Sequence, residues 1–197
     1  MTGLLFRGLL ASFACFLFLA AFATPTRADD LGQRLAAADQ VLIMRHARAP
    51  GIGDPAGFSL EDCSTQRNLN EEGRAQARRI GAWLREQGVR SAVVAASPWC
   101  RTRETASLLG FGTPLVEDGL ASFFNDQAGR ADSANERLQA YLRSALPAKQ
   151  GRALILVTHD VNIARWTGAS VASGEMVLVR VDATGKPVAQ QVYQRPD

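Results

Sequence analysis

VLIMRH (Val41 to His46) and ALILVTH (Ala153 to His159) are two short apolar runs, each closed by a histidine. Neither run leaves a polar side to face water, and strands of that kind belong to parallel sheets covered by helices on both faces. A third run, AVVAAS (Ala92 to Ser97), reads the same way, and amphipathic stretches fall between the runs at Asn70 to Gln87, Arg101 to Leu109 and Ser133 to Leu146. This βαβα order predicts a three-layer α/β/α fold with a mostly parallel central sheet in a single domain, residues 29–197. Asn70 is placed to cap a helix whose apolar positions are Ala75, Ala77, Ile80, Ala82, Trp83 and Leu84, with Arg74, Arg78, Arg79 and Arg85 mostly on the other side. At the C-terminal end EMVLVRVD and TGKPVAQQVYQ alternate and are split at Ala183 to Gly185, the pattern of a terminal hairpin.

Composition narrows the class. The chain has 197 residues, 47% hydrophobic and 21% charged, which suits one globular domain and excludes a disordered or disulfide-dense chain. Its 22 Lys and Arg against 19 Asp and Glu give a formal charge of +3. Met1 to Ala28 carries Arg7 and Arg27 and no acid, so the rest holds only +1, without the basic excess that a nucleic-acid partner calls for. That first stretch has an n-region ending at Arg7 and the uninterrupted apolar run GLLASFACFLFLAAFA (Gly8 to Ala23). It reads as a secretory signal peptide over residues 1–28, cleaved after Ala28 or, as second choice, after Ala23. The run is shorter than the roughly 20 residues that span a bilayer core, so no stable membrane span is expected after its removal. The surroundings of Cys15 make a poor lipoprotein signal. A periplasmic or secreted location follows, one permissive for a disulfide between the two remaining cysteines, Cys63 and Cys100. Sequence leaves a bridge and free buried thiols both open. Their spacing is that of neither a CxxC redox pair nor a zinc site.

The chemistry gathers at one sheet edge. His46 and His159 are the only histidines, and each ends a buried strand. Arg45 precedes His46, and Arg101 lies in SPWCRTRETA (Ser97 to Ala106), directly after the third strand. A guanidinium matches phosphate oxygens two at a time, so Arg45 and Arg101 beside two imidazoles describe a pocket for a dianion. Two imidazoles lacking further ligands at metal spacing do not make a zinc site, and no cofactor is implied. Arg48 and Arg103 are expected to face solvent or pair with acids. APGIGDPAGFSLEDCSTQRN (Ala49 to Asn68) is a long loop following the first strand and is expected to cover a site at the strands' carboxyl ends.

RHA (Arg45 to Ala47), SPWCRTRETA, THD (Thr158 to Asp160) and the intervening RNLNEEGRAQARRIGAWL together resemble the histidine phosphatase superfamily, with its phosphoglycerate-mutase-like fold, over roughly Val41 to Glu175. Ala47 stands where that family usually has glycine. The resemblance implies that His46 is the nucleophile of a phosphohistidine intermediate and that Arg45, Arg101 and His159 bind the phosphoryl oxygens. The family's usual carboxylate is replaced at its expected place by Ser122. The substitute proton donor is Asp160, by analogy with the acid phosphatase branch, although an Asp there is equally placed to be an ordinary N-cap. Asp126, Glu117 and Asp118 are further candidates.

The expected function is therefore an exported phosphomonoester phosphatase acting on a small phosphorylated substrate or a cell-envelope phosphosugar. A phosphohistidine phosphatase, and a catalytically weak phosphate- or phosphosugar-binding module, are the alternatives. Specificity is expected in the Ala49 to Asn68 loop and in Leu120 to Ala131.

Overall fold

The computed structural model describes residues 31–124 and 130–196; the segment read as a signal peptide lies outside them. Strand β1 (Gln40–Arg45) sits at the centre of a six-stranded sheet with β4 (Ala153–Thr158) on one side and β5 (Met176–Val181) on the other. The full order is β3-β2-β4-β1-β5-β6, with β2 at Ala92–Ala96, β3 at Leu115–Val116 and β6 at Pro187–Tyr193. β1, β2, β3 and β4 run parallel, β5 is antiparallel to β1, and β6 is antiparallel to β5, which makes the expected hairpin. The two-residue strand β3 was not legible in the sequence, since Leu115 and Val116 are too few to show a pattern.

Side-chain alternation sorts the core into two layers. Leu42, Met44, Ile155 and Val157 point to one face of the sheet, where they meet Leu31 and Leu35 of α1 (Leu31–Ala36), Ile80 and Leu84 of α2 (Glu71–Glu86), and Ala106 of α3 (Cys100–Leu108). Val41, Ile43, Leu154 and Leu156 point to the other, against Leu138 and Leu142 of α4 (Arg130–Ala148) and Ile163 and Trp166 of α5 (Asp160–Thr167). All six residues of β4 are buried, as a strand covered on both faces must be. The three-layer α/β/α prediction holds.

Local chemistry sets the ends of the elements. The Asn70 side chain accepts from the Gly73 amide at 2.9 Å and starts α2 as expected. Ala82, grouped with the apolar positions, faces solvent instead. Gly73 is required, since a Cβ there would fall 2.0 Å from the Arg48 carbonyl oxygen; this close approach seats α2 against the chain leaving the first histidine. Lys149, at the end of α4, is buried and donates to the carbonyls of Leu35 and Gln40, joining α4 to α1 and the start of β1. Burial lowers its pKa to about 8.

The register that matters most is that of β1 on β4. Arg45 pairs with Thr158, and the His46 amide donates to the Thr158 carbonyl at 2.9 Å. Two histidines 113 positions apart thus leave adjacent strands at the same level. No helix among the described residues is long and apolar enough to cross a membrane.

Candidate active site

Where β1 and β4 end, the chain turns away from the sheet, and Arg45 with the residues just after each strand lines a cleft of about 480 Å³. Its lining includes Arg45, His46, Arg101, His159 and Asp160, so the structure brings the five predicted residues together. The two imidazole centroids are 5.5 Å apart.

The His46 ring is oriented by its own neighbour. Nδ1 lies 2.8 Å from the Ala47 carbonyl, which can only accept, so Nδ1 carries the proton and Nε2 presents a lone pair. Burial lowers the His46 pKa to about 3; the Ala47 carbonyl opposes the shift, and repulsion from Arg101, Arg67 and Arg45 adds to it. His46 is therefore a neutral imidazole at physiological pH, with Nε2 unprotonated. His159 is 2% exposed and is bonded on both sides, with Ser97 Oγ 2.8 Å from Nε2 and Arg101 Nη2 3.4 Å from Nδ1. Arginine only donates, so Nδ1 accepts and Nε2–H donates to Ser97. Burial, then the charge of Arg101 and the neighbouring His46, hold its pKa well below the usual imidazole range.

Around the imidazoles stand three guanidiniums. Arg45 donates to the Val171 carbonyl at 3.2 Å and pairs with Asp160 at 3.4 Å. Arg101, 3% exposed, pairs with Asp54 at 2.8 Å. Arg67 is held by the carbonyls of Gly53 (2.8 Å) and Ala49 (2.5 Å). The Nε atoms of both Arg45 and Arg101 are buried without a hydrogen-bond partner among the described residues, which is costly unless an acceptor is meant to arrive. Three cations against the carboxylates of Asp54 and Asp160, with both imidazoles neutral, leave net positive charge in a largely dehydrated site, which suits an anion.

Asp54, Arg67 and Trp99 went unrecognised as site residues from the sequence. Asp54 is the hub of the long loop: Oδ1 accepts from Arg101 and from the Arg67 amide (3.0 Å), and Oδ2 accepts from Trp99 Nε1 (3.0 Å). Its place in a Gly- and Pro-rich loop gave no sign of this, and the only cue to Arg67 was the loop's return toward the sheet. The loop covers the site as expected, and it is tied down rather than open. Cys63 and Cys100 form a disulfide, resolving the alternative left open above, and Gln66 Oε1 accepts from the Cys100 amide at 2.9 Å.

Other expectations sort cleanly. Arg48 pairs with exposed Glu72 at 2.8 Å, and Arg103 lies against the disulfide sulfurs, away from the cleft. Asp160 is the first residue of α5 rather than its cap; His159 holds the cap position and no side chain bonds there, so the capping alternative for Asp160 is corrected. Ser122 does line the cleft. Glu117 does not: its carboxylate accepts from the Gly119 amide at 2.8 Å, and Asp118 also lies outside the cleft lining. Asp126 lies outside the described residues. No group of three or more His, Cys, Asp or Glu with metal-binding geometry occurs among the described residues.

With this geometry in hand, comparison with known proteins is informative. Residues 41–121 match the family model described as histidine phosphatase superfamily (branch 1), a span that contains Arg45, His46 and Arg101 and stops before His159. No curated protein sequence is significantly similar to the chain. Among solved structures, the chain is similar to the protein histidine phosphatase SixA complexed with tungstate, at 23% identity and a TM-score of 0.52 over 79% of this chain and 94% of that one. It is also similar to an open reading frame product of Mycobacterium tuberculosis, at 18% identity and TM-score 0.55 over 79% and 96% of the two chains. A third is a phosphoserine phosphatase from Entamoeba histolytica in complex with 3-phosphoglyceric acid, at 13% identity and TM-score 0.58 over 79% and 98%. These identities speak to the fold alone. The matching segment and the shared architecture together make the chain similar to the histidine phosphatase superfamily, branch 1, over residues 41–121.

Proposed function

We propose that the chain is an exported phosphomonoester phosphatase that works through a phosphohistidine on His46. The observation that carries this reading is the convergence of a neutral, tautomer-fixed imidazole with three guanidiniums, two of which keep a buried Nε unpartnered. In the first step the lone pair on His46 Nε2 attacks phosphorus while the bond to the leaving oxygen breaks, and that oxygen takes a proton from Asp160. In the second, water attacks the phosphohistidine, its proton passes to Asp160, and the P–N bond breaks to return His46 and release phosphate. Arg45 and Arg101 hold the equatorial oxygens, Arg67 adds positive charge, and His159, whose Nδ1 accepts from Arg101 and whose Nε2–H donates to Ser97, has no donor left for an oxygen and instead positions Arg101. Phosphoryl transfer demands little else of a protein than position and fixed charge, and the covalent intermediate splits one hard displacement into two easier ones. No cofactor takes part in these steps.

Asp160 is assigned the proton because, of the two described cleft carboxylates, it is the less committed, with a 3.4 Å ion pair to Arg45. Asp54 is committed to Arg101, Trp99 and the Arg67 amide. Export is supported by the Gly8 to Ala23 run and by the Cys63–Cys100 disulfide, a bond that persists in oxidising compartments.

The test is release of p-nitrophenol from p-nitrophenyl phosphate in the presence of EDTA. Turnover that resists the chelator and disappears in His46→Ala supports the reading, together with acid-labile, base-stable labelling of the wild-type protein. Turnover that survives His46→Ala refutes it. For export, N-terminal sequencing of protein recovered from a periplasmic extract should begin at Asp29, and protein found intact from Met1 in the cytoplasm would refute that part.

A further inference from the structure

Above its charged floor, the cleft changes character. Ile52, Phe58, Leu60, Trp99, Phe123 and Phe124 form the wall. The wall starts beside the imidazole pair: the Trp99 ring stands edge-on to His159 with centroids 5.2 Å apart, and Phe58 follows 6.0 Å further on. The indole N–H, its one polar atom, is taken by Asp54, so the ring offers the cleft only apolar surface. On the opposite side the loop and the segment after β3 approach each other, since a Cβ placed on Gly53 would lie 3.9 Å from Phe124 Cε1.

Two features show that the wall faces a ligand. Ile52 is 90% exposed and Phe124 42%, and both are at the rim of this one cleft rather than scattered over the surface. The volume, about 480 Å³, also far exceeds what a phosphoryl group fills, given that a water takes about 30 Å³. Outside the Arg–His–Asp floor, Ser122 is the one polar side chain with an uncommitted donor among the described lining residues, and its Oγ accepts weakly from the Phe124 amide at 3.4 Å. A site selecting a sugar needs several side-chain partners for hydroxyls, and the described lining above the floor offers one.

We propose that the substrate is a phosphomonoester of an apolar alcohol or phenol, whose hydrocarbon part lies along Trp99, Phe58 and Phe124 while its phosphate sits on the Arg–His floor. The proposal rests on the phosphatase reading for the reaction, and on the wall alone for selectivity.

The test uses a homologous series in which leaving-group basicity stays nearly constant: n-alkyl phosphates from ethyl to octyl as substrates, and the matching n-alkylphosphonates as non-hydrolysable ligands in calorimetry. Each methylene that reaches the wall should lower the phosphonate Kd by about three- to fourfold and raise kcat/KM in parallel. Ile52→Ser and Phe124→Ser should each flatten that dependence on chain length. A flat series, or glucose 6-phosphate and glycerol 1-phosphate turning over faster than the octyl ester, overturns the proposal, while the phosphatase reading stands. Length-dependent phosphonate binding without hydrolysis of any ester supports the apolar subsite and overturns the phosphatase reading. Absence of binding by every phosphonate overturns the proposal.

Discussion

Replacing Asp54 by asparagine probes the joint between the loop and the anion site. The carboxylate uses both oxygens: Oδ1 takes two N–H groups, from Arg101 and Arg67, and Oδ2 takes the Trp99 indole. Its ion pair with Arg101 is buried on both sides, with side-chain exposures of 7% and 4%. Asparagine has nearly the same shape but only one oxygen. If that oxygen serves Arg101 and Arg67, the amide NH₂ meets the indole N–H, donor against donor, and Arg101 has lost its counter-charge in either orientation. Removing one member of a buried pair costs about 3–5 kcal/mol, and asparagine keeps one acceptor, so the expected loss is about 2–4 kcal/mol. Urea unfolding of the oxidised protein measures it.

A second substitution makes the reasoning specific. Trp99→Phe removes the opposing donor, so the double variant should lose at least about 1 kcal/mol less than the sum of the single losses. Burial alone would raise the Asp54 pKa, but the bonds from Arg101, Arg67 and Trp99 outweigh it and hold it below the ordinary value. Its contribution is therefore complete above the unfolded value near pH 3.9 and is lost as pH falls through the lower folded value. The gap between wild type and Asp54→Asn should stay constant from neutral pH to about 5 and close in stronger acid. Additive losses in the double variant, or an Asp54→Asn loss below about 0.5 kcal/mol, would refute the account.

Other consequences are as direct. His46 titrates near 3 when folded and near 6.5 when unfolded, so below pH 6.5 the unfolded chain takes a proton that the folded one refuses. Stability should fall by about 1.4 kcal/mol per pH unit from this residue alone, and His46→Gln should flatten the urea midpoint against pH by that amount. The disulfide closes a loop of 37 residues' separation, so Cys63→Ser with Cys100→Ser should cost about 3–4 kcal/mol, and a melting temperature indifferent to dithiothreitol would contradict this. Asp160→Asn should cut kcat/KM for alkyl phosphates by about 10²-fold or more and for p-nitrophenyl phosphate much less, because only the alkoxide needs the proton; equal losses would assign Asp160 to holding Arg45 instead.

How far these features were readable beforehand depends on how local their causes are. The buried strands and the α2 start could be read because a two-sided apolar run and an Asn cap act within a few residues. His46, His159, Arg45 and Arg101 could be found because each directly borders or follows a buried strand, and parallel strands deliver their ends to one edge. The register of Arg45 on Thr158 that puts the histidines at one level arises from packing over the whole sheet. Asp54 and Arg67 escaped because their roles depend on a 20-residue loop folding back across that edge, and nothing near either residue in the chain predicts its partner. The same holds for the apolar wall, assembled from three segments distant in the chain, whereas the His46 tautomer is set by the carbonyl of the next residue, Ala47. Residue types and strand order were enough to predict a phosphate site at the sheet edge. Which atom orients the His46 ring, which cleft carboxylate is the less committed and which side chains line the cleft follow from distances, and those exist only once the loop, α3 and β4 have closed on one another.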